Sequence, residues 1–170
     1  MRDIQGIIFD LDQTLVDSSC TLNYRRRGDW RRVYSLISQF VVYDGLKNLL
    51  KNLSNSGIKI HIVTSTPASY CKRVLAFHEL PFDSCVCYHD TNHHKPHPEP
   101  MYMALSRLGN EANKVVSVGD DAMDILSSRA AGIYPIAAAW GTLDYQGLFS
   151  SPWGYFCKTI YDLETFLHDF

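Results

Sequence analysis

The stretch "FDLDQTLVDS", residues 9–18, places two carboxylates, Asp10 and Asp12, directly after the apolar run "GIIF". Short apolar runs rich in β-branched and aromatic residues are typical of buried strands, so both acids are expected at the end of a strand. Two carboxylates this close repel each other unless a positive charge lies between them. The stretch therefore predicts a buried strand that leads into a cation-binding site.

Strand-like and helix-like patterns alternate along the rest of the chain. Five further strands are predicted at residues 58–65, 84–89, 115–120, 134–140 and, more weakly, 155–160. Asp44 is the predicted N-cap of a helix that stops at Gly57, Pro67 starts another, and two later helices end at Gly109 and Gly132. Such alternation predicts an α/β fold with a three-layer, Rossmann-like parallel sheet and right-handed crossovers.

Length and composition indicate an ordinary globular protein. The chain has 170 residues, 46% of them hydrophobic, and a net charge of -2, which predict one domain over residues 1–170 and point to neither nucleic acid nor membrane. The apolar part of "MRDIQGIIFDLD" is too short for a signal peptide or a membrane span. Five cysteines without a CxxC pair favour reduced thiols in a cytoplasmic protein, with Cys85 and Cys87 expected as small buried hydrophobes.

Chemically versatile side chains follow several of the predicted strands. They are Asp10 and Asp12, Thr64 and Ser65, Lys95 in the loop after the third strand, and Asp120. Ligands of an open parallel sheet bind beyond the carboxyl ends of its strands, so these residues are expected at one edge. Carboxylates gathered there are tolerable with a hard cation, for which Mg²⁺ is suited. Lys95 and the Thr64 hydroxyl would then meet the needs of phosphoryl transfer, which are positioning and charge neutralisation.

Four motifs in order resemble those of the haloacid dehalogenase superfamily, in its phosphatase branch. "DLDQT" is similar to the family's DxDxT motif, "IVTS" to its apolar run ending in Thr, "HKPHPEP" to its lysine motif and "VGDDAMD" to its acidic GDxxxD motif. "SSRAAGI" and "AAAWG" resemble the segments that follow in phosphoglycolate-phosphatase-like members. The resemblance covers most of the chain and implies an Mg²⁺-dependent phosphomonoesterase.

The resemblance also implies catalytic roles. Asp10 would be the nucleophile that forms an aspartyl-phosphate, and Asp12 would be the general acid and then the general base. Thr64, with Ser65, would bind a phosphoryl oxygen, and Lys95 would offset charge on the phosphoryl group and the nucleophile. The acid at Asp12 argues against dehalogenation, because a halide leaves without a proton.

A metal site is implied by the same motifs. Asp10, the main-chain carbonyl of Asp12 and the carboxylate of Asp120 would hold Mg²⁺. Asp124, one turn along the following helix, would act directly, through water or as an outer partner, a role that Asp121 could share.

The sequence departs from the family's pattern in two places. Gln13 stands where Gly is commonest, and only about residues 18–42 lie where relatives carry a helical cap domain. One helix is expected in this segment, with Asp29 as its N-cap and an apolar stripe formed by Trp30, Val33, Tyr34 and Ile37. Such a minimal cap predicts an open cleft, since a full cap closes over small substrates.

Basic and imidazole side chains leave alternatives open. Five arginines cluster in this segment: Arg25, Arg26, Arg27, Arg31 and Arg32. They are either a solvated helix face or a substrate-binding surface for a polyanion, with Arg26 and Arg31 as candidates. The histidines of "HDTNHHKPH" are expected as exposed loop residues, with substrate contact as the alternative.

The predicted function is thus hydrolysis of a phosphate ester, with a small molecule favoured over nucleic acid. A nucleotidase or nucleic-acid-end phosphatase is one alternative. Another is a non-catalytic module that binds a phosphoryl group or a partner through its Arg-rich helix. No membrane partner is expected, and an oligomer is possible.

Overall fold

The computed structural model describes residues 4–169, which contain eight strands and eight α-helices. The strands are β1 (Gly6–Phe9), β2 (Val16–Asp17), β3 (Val41–Val42), β4 (Lys59–Val63), β5 (Ser84–Val86), β6 (Val115–Gly119), β7 (Tyr134–Ala138) and β8 (Tyr155–Cys157). The helices are α1 (Leu22–Arg26), α2 (Trp30–Ser35), α3 (Leu46–Asn55), α4 (Ala68–Phe77), α5 (Glu99–Leu108), α6 (Ala122–Ala130), α7 (Tyr145–Ser150) and α8 (Ile160–Asp169). Within this range, no helix combines the length and apolarity that a membrane crossing requires.

The main sheet is parallel throughout, with the strand order β5-β4-β1-β6-β7-β8. Strand β1 is central, and its residue Ile7 pairs with Ile60 of β4 on one side and Val116 of β6 on the other. All six predicted strands are present in this sheet. The predicted three-layer parallel α/β fold is confirmed.

Side chains of the central strand alternate between two packed faces, as they must in a strand covered on both sides. Ile7 and Phe9 pack with α3, α4, α8 and the segment after β2, whereas Ile8 packs with α5 and the residues after α6. A smaller cluster joins Ile125 of α6 and Leu148 of α7 to Ala137 of β7. Because both faces are covered, a ligand can reach the central strands only at their ends.

Helix ends follow the sequence signals in most places. Helix α5 ends at Gly109, which has a left-handed φ of 71°, and the side chain of Asp121 caps α6 by accepting a hydrogen bond from the Met123 amide. The predicted cap of α3 is wrong. Its N-cap is Gly45, whose φ of 80° turns the chain into the helix, and Asp44 lies one residue outside.

The short segment between β2 and β3 is held at its base by antiparallel pairing of Val16 with Val42. One helix was expected within about residues 18–42, but the segment forms two, α1 and α2, and Ile37 of the predicted stripe lies beyond the end of α2. Gly28, with a φ of 69°, lies between the helices. The predicted N-cap of α2 is confirmed, since the Asp29 carboxylate accepts a hydrogen bond from the Arg32 amide.

The apolar stripe of α2 faces the body of the protein. Val33 is fully buried, and the rings of Trp30 and Tyr34 lie against Tyr70 of α4, with centroid distances of 5.6 Å and 6.2 Å. Aromatic pairs in such edge-to-face arrangements add to the stabilisation from burial. The segment is therefore packed onto α4, next to the carboxyl edge of the sheet.

Candidate functional site

The carboxyl ends of the three central strands bring the predicted site residues together. Asp10 follows β1, Thr64 follows β4 and Asp120 follows β6, and the parallel register places these ends side by side. They open into a pocket of about 230 Å³. It is lined by Asp10, Asp12, Arg25, Thr64, Ser65, Thr66, Lys95, Asp120, Asp121, Met123 and Asp124.

Lys95 lies at the centre of the site. Its Nζ donates hydrogen bonds to Asp10 Oδ1 at 2.7 Å, to Asp124 Oδ1 at 2.5 Å and to the main-chain oxygen of Val63 at 3.0 Å. These three bonds use all the donors of an ammonium group. Burial alone would lower the pKa of Lys95, but the charges of Asp10 and Asp124 outweigh it and raise that pKa above its usual value. The side chain is therefore a fixed positive charge.

The carboxylates of Asp10, Asp120 and Asp124 form a compact cluster, each with an oxygen within 4.8 Å of the others. Burial is the main cause that raises the pKa of Asp10 to about 7 and that of Asp120 to about 9, and neighbouring carboxylates add to both shifts. Thr14 donates a hydrogen bond to Asp120 Oδ1 at 2.8 Å. One ammonium group does not balance three acids, so this all-oxygen donor set fits a hard divalent cation.

Asp124 and Asp121 have a structural part in this cluster. Asp124 Oδ2 accepts a hydrogen bond from the Asp121 amide at 3.1 Å, while its Oδ1 accepts from Lys95. Both oxygens of Asp124 thus already have a donor, which favours a role in orienting the lysine. In return, the Asp121 carboxylate caps the start of α6 by accepting a hydrogen bond from the Met123 amide.

Asp12 is held differently from the other acids. Its Oδ1 accepts hydrogen bonds from Ser18 Oγ at 2.5 Å and from Tyr70 Oη at 2.6 Å, and it forms an ion pair with Arg25 Nη1 at 2.8 Å. None of these three groups contacts Oδ2 in this way. The Asp12 carboxylate is not part of the three-acid cluster, so its predicted metal contact concerns its main-chain carbonyl.

Two predicted phosphate-binding residues line the same pocket. The Thr64 hydroxyl is buried and lies 2.8 Å from the hydroxyl of Thr66, and the Thr64 amide donates to the Val86 carbonyl. Ser65 is exposed at the pocket. The side chains of Thr64 and Ser65 therefore line the same pocket as Lys95.

The arginines divide into one pocket residue and four exposed ones. The Arg25 side chain is 15% exposed, forms an ion pair with Asp12 and donates a hydrogen bond through Nη2 to Ser18 Oγ at 3.2 Å. Its buried Nε has no hydrogen-bond partner among residues 4–169. Arg26 and Arg31, the predicted substrate-binding pair, are exposed and lie outside the pocket lining, so their role stays a prediction.

Three contributors were missed from the sequence. Arg25 was one of five clustered arginines and was not separated from its neighbours, and no site role was predicted for Ser18. No site role was predicted for Tyr70 either. Arg25 and Tyr70 reach Asp12 through the packing of α1 and α4, which no local motif announces, whereas Ser18 lies only six residues after Asp12 in the chain.

The predicted loop histidines lie outside this pocket lining. His93 and His97 are exposed, and their rings stack with centroids 4.4 Å apart. His93 Nδ1 lies 2.6 Å from Glu99 Oε2, and the Glu99 amide donates to His97 Nδ1. These contacts order the loop that carries Lys95.

Comparison with known proteins agrees with this geometry. The sequence profile of the haloacid dehalogenase-like hydrolase family matches residues 28–138. The pyrophosphatase PpaX of Bacillus pumilus is 35% identical over 123 residues, which are 71% of this chain and 57% of that protein. The phosphoglycolate phosphatase of Xanthomonas campestris pv. campestris is 36% identical over 108 residues, 61% of this chain and 48% of that protein.

The chain thus spans about half the length of the curated relatives it matches. Among solved structures, CbbY from Rhodobacter sphaeroides in complex with phosphate has a TM-score of 0.78 at 16% identity, covering 94% of this chain and 96% of that one. At this identity the likeness concerns the fold. The profile covers well over half of the sequence, including Thr64, Lys95 and Asp120, and the chain belongs to the haloacid dehalogenase-like hydrolase family.

Proposed function

We propose that this protein is an Mg²⁺-dependent phosphatase that hydrolyses a small phosphorylated molecule through an aspartyl-phosphate. The observation that carries the proposal is the different setting of two neighbouring acids. Asp10 is paired with the ammonium of Lys95, whereas Asp12 is held by hydroxyl and guanidinium donors. Two acids with different partners suit two different chemical roles.

Asp10 is the proposed nucleophile. Its Oδ1 is held by Lys95, so Oδ2 is the oxygen that would attack the phosphorus. The bond from phosphorus to the leaving oxygen breaks as the new bond from Asp10 forms, and Asp12 gives its proton to the leaving oxygen. In the second step Asp12 takes a proton from water, the water oxygen bonds to phosphorus, and the carboxylate of Asp10 is released.

Lys95, Thr64 and Ser65 are the proposed phosphoryl-binding residues. Lys95 already donates to three protein acceptors, so it would act on a phosphoryl oxygen as a buried charge that solvent screens little. Thr64 can turn its hydroxyl from Thr66 to such an oxygen at little cost, since the hydroxyl proton is free to rotate. These groups lie at the pocket before substrate arrives, which is the preorganisation that electrostatic catalysis requires.

Asp10, Asp120 and the main-chain carbonyl of Asp12 are the residues we propose to hold the cation. Asp124 would act through water or by orienting Lys95, because its oxygens already accept hydrogen bonds. When bound, the cation would offset the carboxylate charge and polarise the phosphoryl group. The raised pKa of Asp10 and of Asp120, caused mainly by burial, supports a site built for added positive charge.

The position of Arg25 favours a substrate that carries a second anionic group near the transferred phosphoryl group. It brings a guanidinium to the side of the pocket where Asp12 would protonate the leaving oxygen. A phosphate or carboxylate on the leaving group could accept from this fork, as guanidinium groups bind such anions well. Pyrophosphate and phosphoglycolate, the substrates implied by the names of the relatives above, both carry such a group.

The test is a phosphatase screen with and without Mg²⁺. It compares pyrophosphate, phosphoglycolate, an aryl phosphate and 3′- or 5′-phosphorylated oligonucleotides. We expect Mg²⁺-dependent turnover that falls at least about a thousandfold in Asp10→Asn, because the nucleophile is removed. Glu164→Gln, an exposed carboxylate on α8, is the matched control and should retain activity. Turnover that survives in Asp10→Asn would refute the proposal.

The same screen addresses the alternatives. Four arginines of the short segment are exposed, and the guanidinium of Arg32 lies 5.7 Å from the ring centre of Tyr24, an arrangement that also suits a polyanion. Activity confined to oligonucleotides would favour the nucleic-acid-end phosphatase. Partner binding without turnover would favour the non-catalytic module.

A cytoplasmic location is proposed because the five free thiols suit a reducing compartment.

A further inference from the structure

Three of the five cysteines meet beneath helix α4. Cys71 lies on α4, Cys85 on β5 and Cys87 two residues further along the same chain segment. Residues two apart on a strand share a face, so Cys85 and Cys87 both point to the side on which α4 packs. Their three sulfur atoms all lie within 4.8 Å of one another. Residues distant in sequence thus form one compact thiol cluster.

The surroundings of this cluster are apolar on one side and open on the other. Cys71 and Cys87 are 0% and 2% exposed and belong to the main core, while Cys85 is partly exposed on the edge strand of the sheet. A small ion could therefore enter past Cys85 and meet three sulfurs.

Burial in the core does not by itself require three neighbouring thiols. Cys157 is also fully buried in the main core, yet it is not part of any group of potential metal ligands among residues 4–169. A buried cysteine that serves as a small hydrophobe needs no second thiol beside it. Cys157 is therefore the natural comparison for the cluster.

We propose that Cys71, Cys85 and Cys87 form a binding site for one thiophilic divalent cation of the Zn²⁺ type. A metal–sulfur distance of about 2.3 Å requires sulfurs roughly 4 Å apart, which small side-chain adjustments can reach from the observed spacing. Soft thiolates select such ions over Mg²⁺, so the site does not compete with the carboxylate pocket.

Charge favours a divalent ion over a monovalent one. Three thiolates with Zn²⁺ leave one net negative charge in an apolar region, whereas three thiolates with a monovalent ion leave two. Lys72, the residue after Cys71, lies close enough to act electrostatically on Cys85 and would offset the remaining charge. A water at the open side next to Cys85 would complete four-fold coordination.

The site is joined to the pocket through its neighbours in the chain. Cys71 follows Tyr70, whose hydroxyl donates to Asp12, and Cys87 precedes the loop that carries Lys95. Binding of an ion would therefore fix the spacing of α4 and β5 behind the pocket.

Titration of the fully reduced chain with Co²⁺, followed by displacement with Zn²⁺, tests the proposal. Thiolate coordination produces a charge-transfer band in the near ultraviolet, to which carboxylate and histidine sites do not contribute. We expect one Co²⁺ per chain with this band and its loss on addition of Zn²⁺. Cys85→Ser and Cys87→Ser should weaken binding at least about tenfold, because each removes one of three ligands. Cys157→Ser should bind as the unchanged protein does.

Alkylation mapped by mass spectrometry gives a second readout that does not require a variant to fold. Zn²⁺ should slow modification of Cys71, Cys85 and Cys87 relative to the exposed Cys20. The proposal is overturned if the thiolate band is absent or if Cys157→Ser weakens Co²⁺ binding as much as the cluster variants do. It is also overturned if Zn²⁺ does not protect the cluster cysteines from alkylation, or if two of them remain joined by a disulfide after treatment with reductant.

Discussion

Arg25 Nη1 lies 2.8 Å from Asp12 Oδ1, and the two side chains are only 15% and 12% exposed. This pair links helix α1 of the short inserted segment to the loop that follows the central strand. An ion pair in a largely buried setting is screened less by solvent than a surface ion pair is. The segment thus contributes a charged group to the pocket, although it is far smaller than a closing domain.

Replacing Arg25 tests its contribution to substrate choice. Arg25→Met keeps much of the side chain's length and removes the charge, so we expect kcat/KM for pyrophosphate or phosphoglycolate to fall about 10- to 100-fold, the loss typical of a hydrogen bond to a charged group. An aryl phosphate, which lacks a second anionic group, should lose less. Steady-state kinetics on both substrate types measure the difference, and the control is Arg73→Met, which changes an exposed arginine on α4 outside the pocket lining. Equal losses on both types would argue against binding of a second anion.

Tyr70→Phe removes one of the two observed side-chain hydrogen bonds to Asp12 Oδ1. The Tyr70 hydroxyl is 2.6 Å from Asp12 Oδ1, while its ring is fully buried against Trp30 and Tyr34. We expect kcat to fall about tenfold and the free energy of unfolding to fall by about 1 to 2 kcal/mol, since the packing is retained and one hydrogen bond is lost. Tyr34→Phe, which loses an exposed contact with Ser69, should leave kcat unchanged. An unaltered kcat in Tyr70→Phe would show that Asp12 does not depend on this donor.

Gly119→Ala should disable the site by displacing Asp124. A Cβ at Gly119 would lie 2.3 Å from Asp124 Cβ, so the aspartate must move and its contact with Lys95 must break. We expect activity to fall at least about 100-fold and stability by about 1 to 3 kcal/mol from overpacking. Gly6→Ala, which meets its nearest neighbours at 3.4 Å, serves as the control. Activity assays and urea unfolding report the two effects, and a fully active Gly119→Ala would contradict the observed packing.

Stability without divalent cation should fall as the pH rises. The folded pKa values of Asp10 and Asp120, about 7 and about 9, lie above their usual value of 3.8, mainly because of burial. The folded chain therefore binds more protons than the unfolded chain between about pH 4 and pH 9, and the free energy of unfolding decreases through this range. Addition of Mg²⁺ should restore it, by about 2.7 kcal/mol at a hundredfold excess over Kd.

Urea unfolding at pH 5.5 and pH 8.5, each with EDTA or Mg²⁺, measures this linkage. The stabilisation by Mg²⁺ should be larger at the higher pH, where the carboxylates lose their protons, and should shrink in Asp120→Asn. Equal stabilisation at both pH values would exclude these acids as the cation ligands.

The fold and the core of the site were predictable because their signals are local. Apolar runs such as "GIIF" mark strands, and polar residues at their ends, such as Asp10, Thr64 and Asp120, must meet at one edge of a parallel sheet. The cap of α3 was misplaced by one residue because Asp44 is a typical cap, whereas the left-handed φ of Gly45 is visible only in three dimensions.

Contacts that depend on packing were not predictable. Which arginine of "YRRRGDWRR" enters the pocket depends on where α1 ends before Gly28. The contact between Tyr70 and Asp12 joins residues 58 positions apart and depends on how α4 packs against the sheet. Helix α8 was also missed, since its first residue, Ile160, was assigned to the last strand.

The most direct test concerns the bond between Asp10 and phosphorus. Asp12→Asn should slow the second step, so acid quenching during turnover of an aryl phosphate, followed by peptide mapping, should find a phosphoryl group on the peptide that contains Asp10. Borohydride reduction of the same sample should convert that aspartate to homoserine. Continued turnover without any phosphoryl group on Asp10, together with inversion of configuration at phosphorus, would contradict the proposed covalent route.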